Sequence, residues 1–275
     1  MQQVMDFPAF FQSDNWVEPA VRAYMAEGLT ETCESFDNFN LIAFDWYDLQ
    51  NADVPPAQML IYQSADQLLI LCENASARAA ADKAFQTDAS TSRALALFFK
   101  NLLRSCTKKL EQLEDELSDL DDDVADGTED GLIDRLLDMR NRLKRINTYF
   151  EQLGFLFDEI CDNDNGVIEA AYLRDFHILR NRTVRLCSQS RSLRETLSQV
   201  RDSYQAQIGI EQNHLMKMFT MVTSIFLPLT LMVGWYGMNL KMPEFDWAYG
   251  YPFAIGLMAV ICVVWYVVFK KKRWL

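Results

Sequence analysis

The chain has 275 residues, a net charge of −13 and 50% hydrophobic residues, enough for one large domain or two modest ones. Its charge is uneven: residues 1–212 hold 20 basic and 37 acidic residues, whereas residues 213–275 hold six basic and two acidic ones. This acidic balance argues against nucleic acid as a partner. The six cysteines show no Cys-x-x-Cys spacing, which argues against a zinc finger or a disulfide framework.

Residues 1–90 are predicted to form a small α/β domain in the cytoplasm. Segments 41–46, 58–62 and 68–72 have strand character, and the polar residues 63–67 can turn a hairpin between the last two. Pro55 and Pro56 break the chain before the second of these strands.

Residues 91–217 are predicted to form a cytoplasmic stalk domain of long helices. One amphipathic helix is expected over 92–120 and is ended by the acidic, glycine-containing segment 121–131. A second helix is expected over 132–160, and a third runs over 167–238, about 100 Å long if it is continuous. The first helix is predicted from apolar residues three and four apart, namely Leu95, Phe98, Leu102, Cys106, Leu110, Leu113, Leu117 and Leu120.

Two uncharged segments, 218–240 and 247–269, are predicted to span a membrane. As a helix each would rise about 35 Å, which exceeds the hydrocarbon thickness of about 30 Å. The alternative is a pair of buried helices in a soluble core. Residues 241–246 form the outer loop between the spans.

The orientation of the spans is predicted from the basic tail, residues 270–275, which contains Lys270, Lys271, Lys272 and Arg273. The positive-inside rule places such a run in the cytoplasm, and a two-span hairpin then places both termini there. The N-terminus has no basic segment followed by an apolar one, so no cleaved signal peptide is expected. Insertion into membrane lipid is therefore attributed to the spans.

The first span carries a stripe of residues spaced three and four apart, which suits a bundle of like helices around an axis. The alternative is ordinary close packing of helices through small residues. The stripe comprises Asn213, Met216, Thr220, Thr223, Leu227, Thr230, Gly234 and Gly237.

The end of the first span reads Tyr236-Gly237-Met238-Asn239, and Met242-Pro243-Glu244 follows in the outer loop. With the second span and the basic tail, this segment of about sixty residues resembles the CorA family of magnesium transporters. The resemblance implies a homopentameric funnel: an α+β cytoplasmic domain, long helices and a two-helix transmembrane hairpin whose first span lines a pore.

The resemblance also implies a selectivity filter of Gly237, Met238 and Asn239, whose oxygens accept hydrogen bonds from the water around Mg²⁺. Thr230 would offer hydroxyls midway, Asn213 would form a polar ring near the inner mouth, and apolar constrictions would gate the pore. The expected gate residues are Met216, Phe219 and Leu227, although similar transporters commonly have leucine in place of Phe219. No organic cofactor is expected.

Intracellular Mg²⁺ bound between subunits is expected to hold the pore shut, with Asp202 as one ligand by ungapped distance from the signature. The alternative is a solvated charge on a helix. Asp162 to Gly166 suggests a calcium loop, but its glycine comes one place early and Leu173 stands where a glutamate is needed, so a turn between helices is predicted.

Several functions remain open on the sequence alone. The leading hypothesis is passive Mg²⁺ uptake, because no Gly-x-x-x-x-Gly-Lys-Ser/Thr loop is present to couple ATP hydrolysis. Alternatives are Zn²⁺ transport as in ZntB-like relatives, Co²⁺ or Ni²⁺ transport, and a membrane-anchored coiled-coil scaffold that conducts nothing. An enzyme is not expected, because the only two histidines, His177 and His214, are far apart and no nucleophile-base pairing is visible.

Overall fold

A computed structural model describes residues 1–12, 17–28, 32–49, 54–126, 131–238 and 249–272. These residues divide into two compact units, Met1–Asp202 and Ser203–Leu275. The first unit contains a mixed β-sheet with helices on both of its faces, and the second contains two apolar helical segments.

The sheet has five strands: β1 (Gln2–Asp6), β2 (Cys33–Ser35), β3 (Phe39–Trp46), β4 (Ala57–Ser64) and β5 (Leu68–Cys72). Their spatial order is β1-β5-β4-β3-β2, with β1 parallel to β5 and every other pair antiparallel. The three predicted strands are confirmed as β3, β4 and β5. Strands β1 and β2 lie at the sheet edges and were not predicted.

Eight helices complete the described structure. The first seven in chain order are α1 (Phe7–Gln12), α2 (Pro19–Glu27), α3 (Ala75–Ala84), α4 (Thr91–Leu102), α5 (Cys106–Asp126), α6 (Leu132–Asp162) and α7 (Ala170–Tyr236), and the last is α8 (Gly250–Lys271). The predicted second and third helices correspond to α6 and α7. Helices α3 and α4 begin at capping side chains, since Asn74 accepts a hydrogen bond from the Ala77 amide and Ser90 accepts one from the Arg93 amide.

Apolar side chains cover both faces of the central strands. On one face, Leu41, Leu60 and Leu71 pack with Phe10 of α1 and Met25 of α2. The opposite face meets α3, α4 and α6, where aromatic rings join the layers. Phe44 of β3 contacts Phe99 of α4, whose ring meets Phe157 of α6 at a centroid distance of 5.1 Å. Burial on both sides explains why these strands appear as continuous apolar runs in the sequence.

The single helix predicted over 92–120 is wrong, because the chain breaks between α4 and α5. At the break, the amides of Arg104 and Cys106 donate to carbonyls three residues earlier. The Asn101 side chain donates to the Ala84 carbonyl at 2.9 Å and anchors the end of α4 to α3. The break buries Leu103 completely and leaves Leu102 only half-buried, although Leu102 was the predicted core position. No proline or glycine marks the turn, so the periodicity conceals it.

Helix α5 also extends beyond its predicted end and reaches Asp126. Val124 is buried one turn after Leu120 and continues the apolar stripe of α5. The packing of this stripe against α6 stabilises the last turn of α5 despite the repulsion among its acidic residues. Basic side chains of α6 reduce that repulsion by pairing with acidic residues of α5. Arg142 bonds Glu116 at 2.7 Å, and Arg135 bonds Asp123 at 2.7 Å.

The turn between α6 and α7 is held by asparagine side chains. Asn163 adopts a left-handed backbone conformation with φ of 45°, and its side chain bonds both the amide and the carbonyl of Ile168. Asn165 donates to the Asn40 side chain of β3 at 2.7 Å, and Asn40 in turn donates to Gln63 of β4. These asparagines are used by the protein itself, which agrees with a turn between helices in place of a calcium loop.

A polar seam joins α6 to α7. Ser190 of α7 donates to the buried Asn147 side chain at 3.2 Å, and Asn147 donates to Glu151 at 2.8 Å. Glu151 also accepts a hydrogen bond from Arg191 at 2.7 Å, and this bond is the main reason that the pKa of Glu151 lies below its ordinary value. The seam therefore sets the register of α7 against the rest of the first unit.

The stability of the first unit is predicted to depend on Phe157 and not on Phe155, two positions away on α6. Phe157 is fully buried against Phe99, whereas Phe155 is 65% exposed. Phe157→Ala is expected to lower the free energy of unfolding by about 3 to 5 kcal/mol, because it leaves a cavity. The matched change Phe155→Ala is expected to alter it by about 0.5 kcal/mol or less. Urea-induced unfolding of the purified protein measures both, and equal losses would contradict the described packing.

Candidate functional site

The second half of α7 and all of α8 expose a long apolar surface. Both helices are long and apolar enough to cross a membrane, and the apolar part of α7 is not buried at all within the chain. Apolar surface of this extent is unfavourable in water and favourable in hydrocarbon. The alternative of buried helices in a soluble core is therefore wrong for the apolar part of α7 and for α8.

The predicted stripe lies along one exposed side of α7. Each of its members within the helix is exposed, and Leu227, at 71%, is among the most exposed large side chains of the chain. An exposed stripe on a single chain is available to copies of the same helix or to other contacts. The members within α7 are Asn213, Met216, Thr220, Thr223, Leu227, Thr230 and Gly234, with Phe219 beside Thr220.

Two threonines of the stripe direct their hydroxyl hydrogens back into their own helix. The Thr220 hydroxyl donates to the Met216 carbonyl at 2.7 Å, and the Thr223 hydroxyl donates to the Phe219 carbonyl at 2.8 Å. Each hydroxyl oxygen then keeps acceptor capacity for a donor outside the helix. A water molecule bound to a cation is such a donor.

Pro228 leaves one backbone carbonyl of the same helix without its helical hydrogen bond. Proline has no amide hydrogen, so the Ser224 carbonyl one turn earlier loses its helical partner. Exposed backbone acceptors of this kind are tolerated at membrane depth where they face protein or water.

A shallow groove of about 600 Å³ lies on α7 near the end of the stripe. Four residues of the predicted site line it: Leu227, Thr230, Gly234 and Met238. Leu231 and Trp235 also line the groove and were not predicted. The sequence could have predicted them, because Leu227, Leu231 and Trp235 follow each other at four-residue spacing and so lie on one helix face.

Gly237 lies at a tight helix end. Its amide donates to the Val233 carbonyl at 2.8 Å, and the Met238 amide donates to the Trp235 carbonyl at 3.2 Å. A Cβ atom on Gly237 would lie 2.9 Å from the Val233 carbonyl oxygen, closer than a side chain tolerates. The predicted filter residue Asn239 and the predicted loop residues Met242, Pro243 and Glu244 lie outside the described residues.

Asp202 is exposed on α7 and forms an ion pair with its neighbour Arg201 at 3.1 Å. Such an exposed pair contributes about 1 kcal/mol or less, so a divalent cation can compete for the carboxylate. Within the described ranges, no group of three or more His, Cys, Asp or Glu side chains is arranged to hold a metal ion. Within the described residues, one chain therefore forms no site of three or more such side chains at Asp202.

A mixed-sheet domain, long helices and two exposed apolar helices define a class of protein, the membrane protein with two candidate spans. A family model described as "CorA-like Mg2+ transporter protein" matches residues 19–271. The chain belongs to the CorA-like Mg²⁺ transporter family, whose members are channel-type membrane transporters and not enzymes. Magnesium is the transported ion of this family.

Three known proteins illustrate the similarity. The cobalt/magnesium transport protein CorA of Thermotoga maritima is 30% identical over 175 residues, which are 63% of this chain and 48% of that protein. The matched segment thus spans about half the length of this relative. The complete structure of the CorA magnesium transporter from Methanocaldococcus jannaschii is 20% identical with a TM-score of 0.75, covering 93% of this chain and 87% of that one. The full-length CmaX structure is 17% identical with a TM-score of 0.76, covering 99% and 88%.

Gly237→Ala is predicted to destabilise the end of the first span by about 1 to 3 kcal/mol, because the added methyl group collides with the Val233 carbonyl. Gly256→Ala in α8 is the matched control, since a Cβ there meets open space and alanine favours a helix. The measurement is the resistance of the purified protein to unfolding by sodium dodecyl sulfate. Equal resistance in both variants would show that the helix end adapts without cost.

Proposed function

We propose that this chain forms a homopentamer in the inner membrane and conducts hydrated Mg²⁺ into the cell down its electrochemical gradient. The spans at 218–240 and 247–269 would cross the lipid, and both termini would lie in the cytoplasm. The first span of each copy would line the pore. Family membership and the exposed, uncharged stripe on α7 support this proposal.

The observation that carries the proposal is the orientation of the threonine hydroxyls. Because the Thr220 and Thr223 hydroxyls donate to carbonyls of their own helix, their oxygens can accept hydrogen bonds from the water shell of an ion. Mg²⁺ loses its water reluctantly, so a pore that holds the shell by such acceptors avoids the cost of dehydration. The described part of the first span, 218–238, carries no charged residue that would hold the ion too tightly to release it.

The outer filter would consist of the Gly237 and Asn239 oxygens, beside Met238. Met216, Phe219 and Leu227 are large, exposed and apolar, and rings of them would close the pore by excluding water. A membrane potential of 100 mV contributes about 4.6 kcal/mol for the entry of two charges, so ATP is not required. The 37 acidic residues of positions 1–212 would attract cations on the cytoplasmic side.

Asn239→Ala is predicted to abolish Mg²⁺ entry without preventing assembly, because it removes the amide oxygen that would hold the hydrated ion. The assay is entry of Mg²⁺, Zn²⁺, Co²⁺ and Ni²⁺ into liposomes that contain the purified protein. Cobalt is included because the Thermotoga maritima relative is named a cobalt/magnesium transport protein. Asn181→Ala, an equally small change at an exposed cytoplasmic position of α7, is the control and is expected to leave entry unchanged.

Three outcomes would contradict the proposal in different ways. Undiminished Mg²⁺ entry with Asn239→Ala would reject the filter. Entry of Zn²⁺ alone, coupled to a proton gradient, would reject the magnesium assignment in favour of zinc transport. Assembly without entry of any ion would favour the scaffold.

Asp202→Asn is predicted to leave a pore that stays open when internal Mg²⁺ is high. The amide removes the negative charge that would hold a regulatory Mg²⁺ against a neighbouring copy. The comparison is the rate of Mg²⁺ entry into liposomes loaded with low or high Mg²⁺. Asp175→Asn is the control, because it removes the same charge at another exposed position of α7. Its pore is expected to close at high internal Mg²⁺ as that of the unchanged protein does. If Asp202→Asn also closes, Asp202 is only a solvated helix charge.

A further inference from the structure

The first unit contains a cavity of about 550 Å³ that the transport mechanism does not use. It is lined by residues from the end of β3, from helix α3 and from the break between α4 and α5, and by Tyr149 of α6. Its volume is within the range of about 300 to 1,000 Å³ that is usual for small-molecule sites. It belongs entirely to the unit Met1–Asp202.

Two cationic side chains line this cavity, Lys83 from α3 and Arg104 from the helix break. Within the part of the chain that the structure describes, neither forms an ion pair. Asp48 is the one carboxylate among the lining residues, and it is already engaged by another group. Uncompensated positive charge is notable in a segment, 1–212, with 37 acidic and 20 basic residues. It favours an anionic ligand.

A buried phenol points to the same site. Tyr149 is 1% exposed and lines the cavity, yet its hydroxyl makes no hydrogen bond to any described residue. A tyrosine hydroxyl can donate one hydrogen bond to an acceptor on a ligand that enters the cavity. Burial raises the pKa of Tyr149 well above its ordinary value, so the phenol stays protonated and can donate.

Part of the remaining cavity surface is apolar and aromatic, beside the polar residues Ser76, Gln86, Asn101 and Ser105. Trp46 at the end of β3 and Tyr47 directly after it line the cavity, and the centroid of the Tyr47 ring lies 5.7 Å from that of the Tyr149 ring. Ala79 and Ala80 of α3 leave room for a flat group, since their side chains are short. A bare inorganic anion would contact none of this apolar surface.

We propose that this cavity binds a small organic phosphate that carries a flat ring, as a nucleoside monophosphate does. The phosphate lies between Lys83 and Arg104, the ring packs on the aromatic and alanine surface, and the Tyr149 hydroxyl donates to a ligand acceptor. This binding is independent of the proposed ion pathway, because none of these residues belongs to the stripe on α7.

The test is calorimetric titration of the full-length purified protein in detergent with adenosine monophosphate, in buffer without divalent ions. Saturable binding is expected, and Lys83→Ala, Arg104→Ala and Tyr149→Phe are each expected to weaken it about tenfold or more. Lys144→Ala, which removes a charge from the exposed side of α6, is the control and is expected to bind as the unchanged protein does. The unfolding temperature of each variant separates lost binding from lost folding.

The proposal is overturned if adenosine monophosphate shows no saturable binding to the intact protein. It is also overturned if the well-folded Lys83→Ala and Arg104→Ala variants bind as tightly as the Lys144→Ala control. Inorganic phosphate is titrated in parallel and is expected to bind far more weakly. Equal affinity for the two would mean that the apolar surface takes no part, which contradicts the proposed ligand class.

Discussion

Hydrogen bonds that α7 makes within itself are the constraint on which the proposed pathway depends. In hydrocarbon, a polar group without a partner costs several kcal/mol, so a helix can carry hydroxyls there only if it satisfies their hydrogens. Thr220 and Thr223 meet this requirement through the carbonyls one turn earlier. The helix is therefore stable in lipid and still presents acceptor oxygens along one side.

The same constraint explains why the proposed pathway would be built from neutral groups. A charged side chain in the span would be expensive in lipid, and a ring of carboxylates would bind a divalent ion too strongly to let it leave. Neutral oxygens interact with the water shell of the ion at moderate strength. The negative charge of the chain is concentrated outside the spans, in residues 1–212.

The first unit contains a local reversal of this electrostatic pattern. Most of its charge is acidic, but Lys83 and Arg104 line one cavity together with the buried Tyr149. The three residues come from α3, the α4–α5 break and α6, which are distant in the sequence. Only the folded chain brings them together, and no motif in the sequence marks them.

Much of the architecture follows from local patterns in the sequence. Strands β3, β4 and β5, helices α6 and α7, and the two apolar spans were predicted, because alternation, helical spacing and uncharged length are properties of short segments. The break between α4 and α5 was missed because a turn without glycine or proline preserves the apolar spacing. The short edge strands β1 and β2 were missed because their identity depends on pairing with β5 and β3.

The amino-acid sequence by itself determined the two membrane spans, the uncharged stripe and the family resemblance, since each depends on the order of residues along one helix. Only the tertiary structure decided that the Thr220 and Thr223 hydroxyls donate to carbonyls of their own helix. It also decided that Leu103 replaces Leu102 in the core and that Tyr149 lies in a cationic cavity. These features depend on atoms from separate elements or on the direction of a single bond. The spacing of residues along the chain specifies neither the packing of separate elements nor the direction of one hydrogen bond.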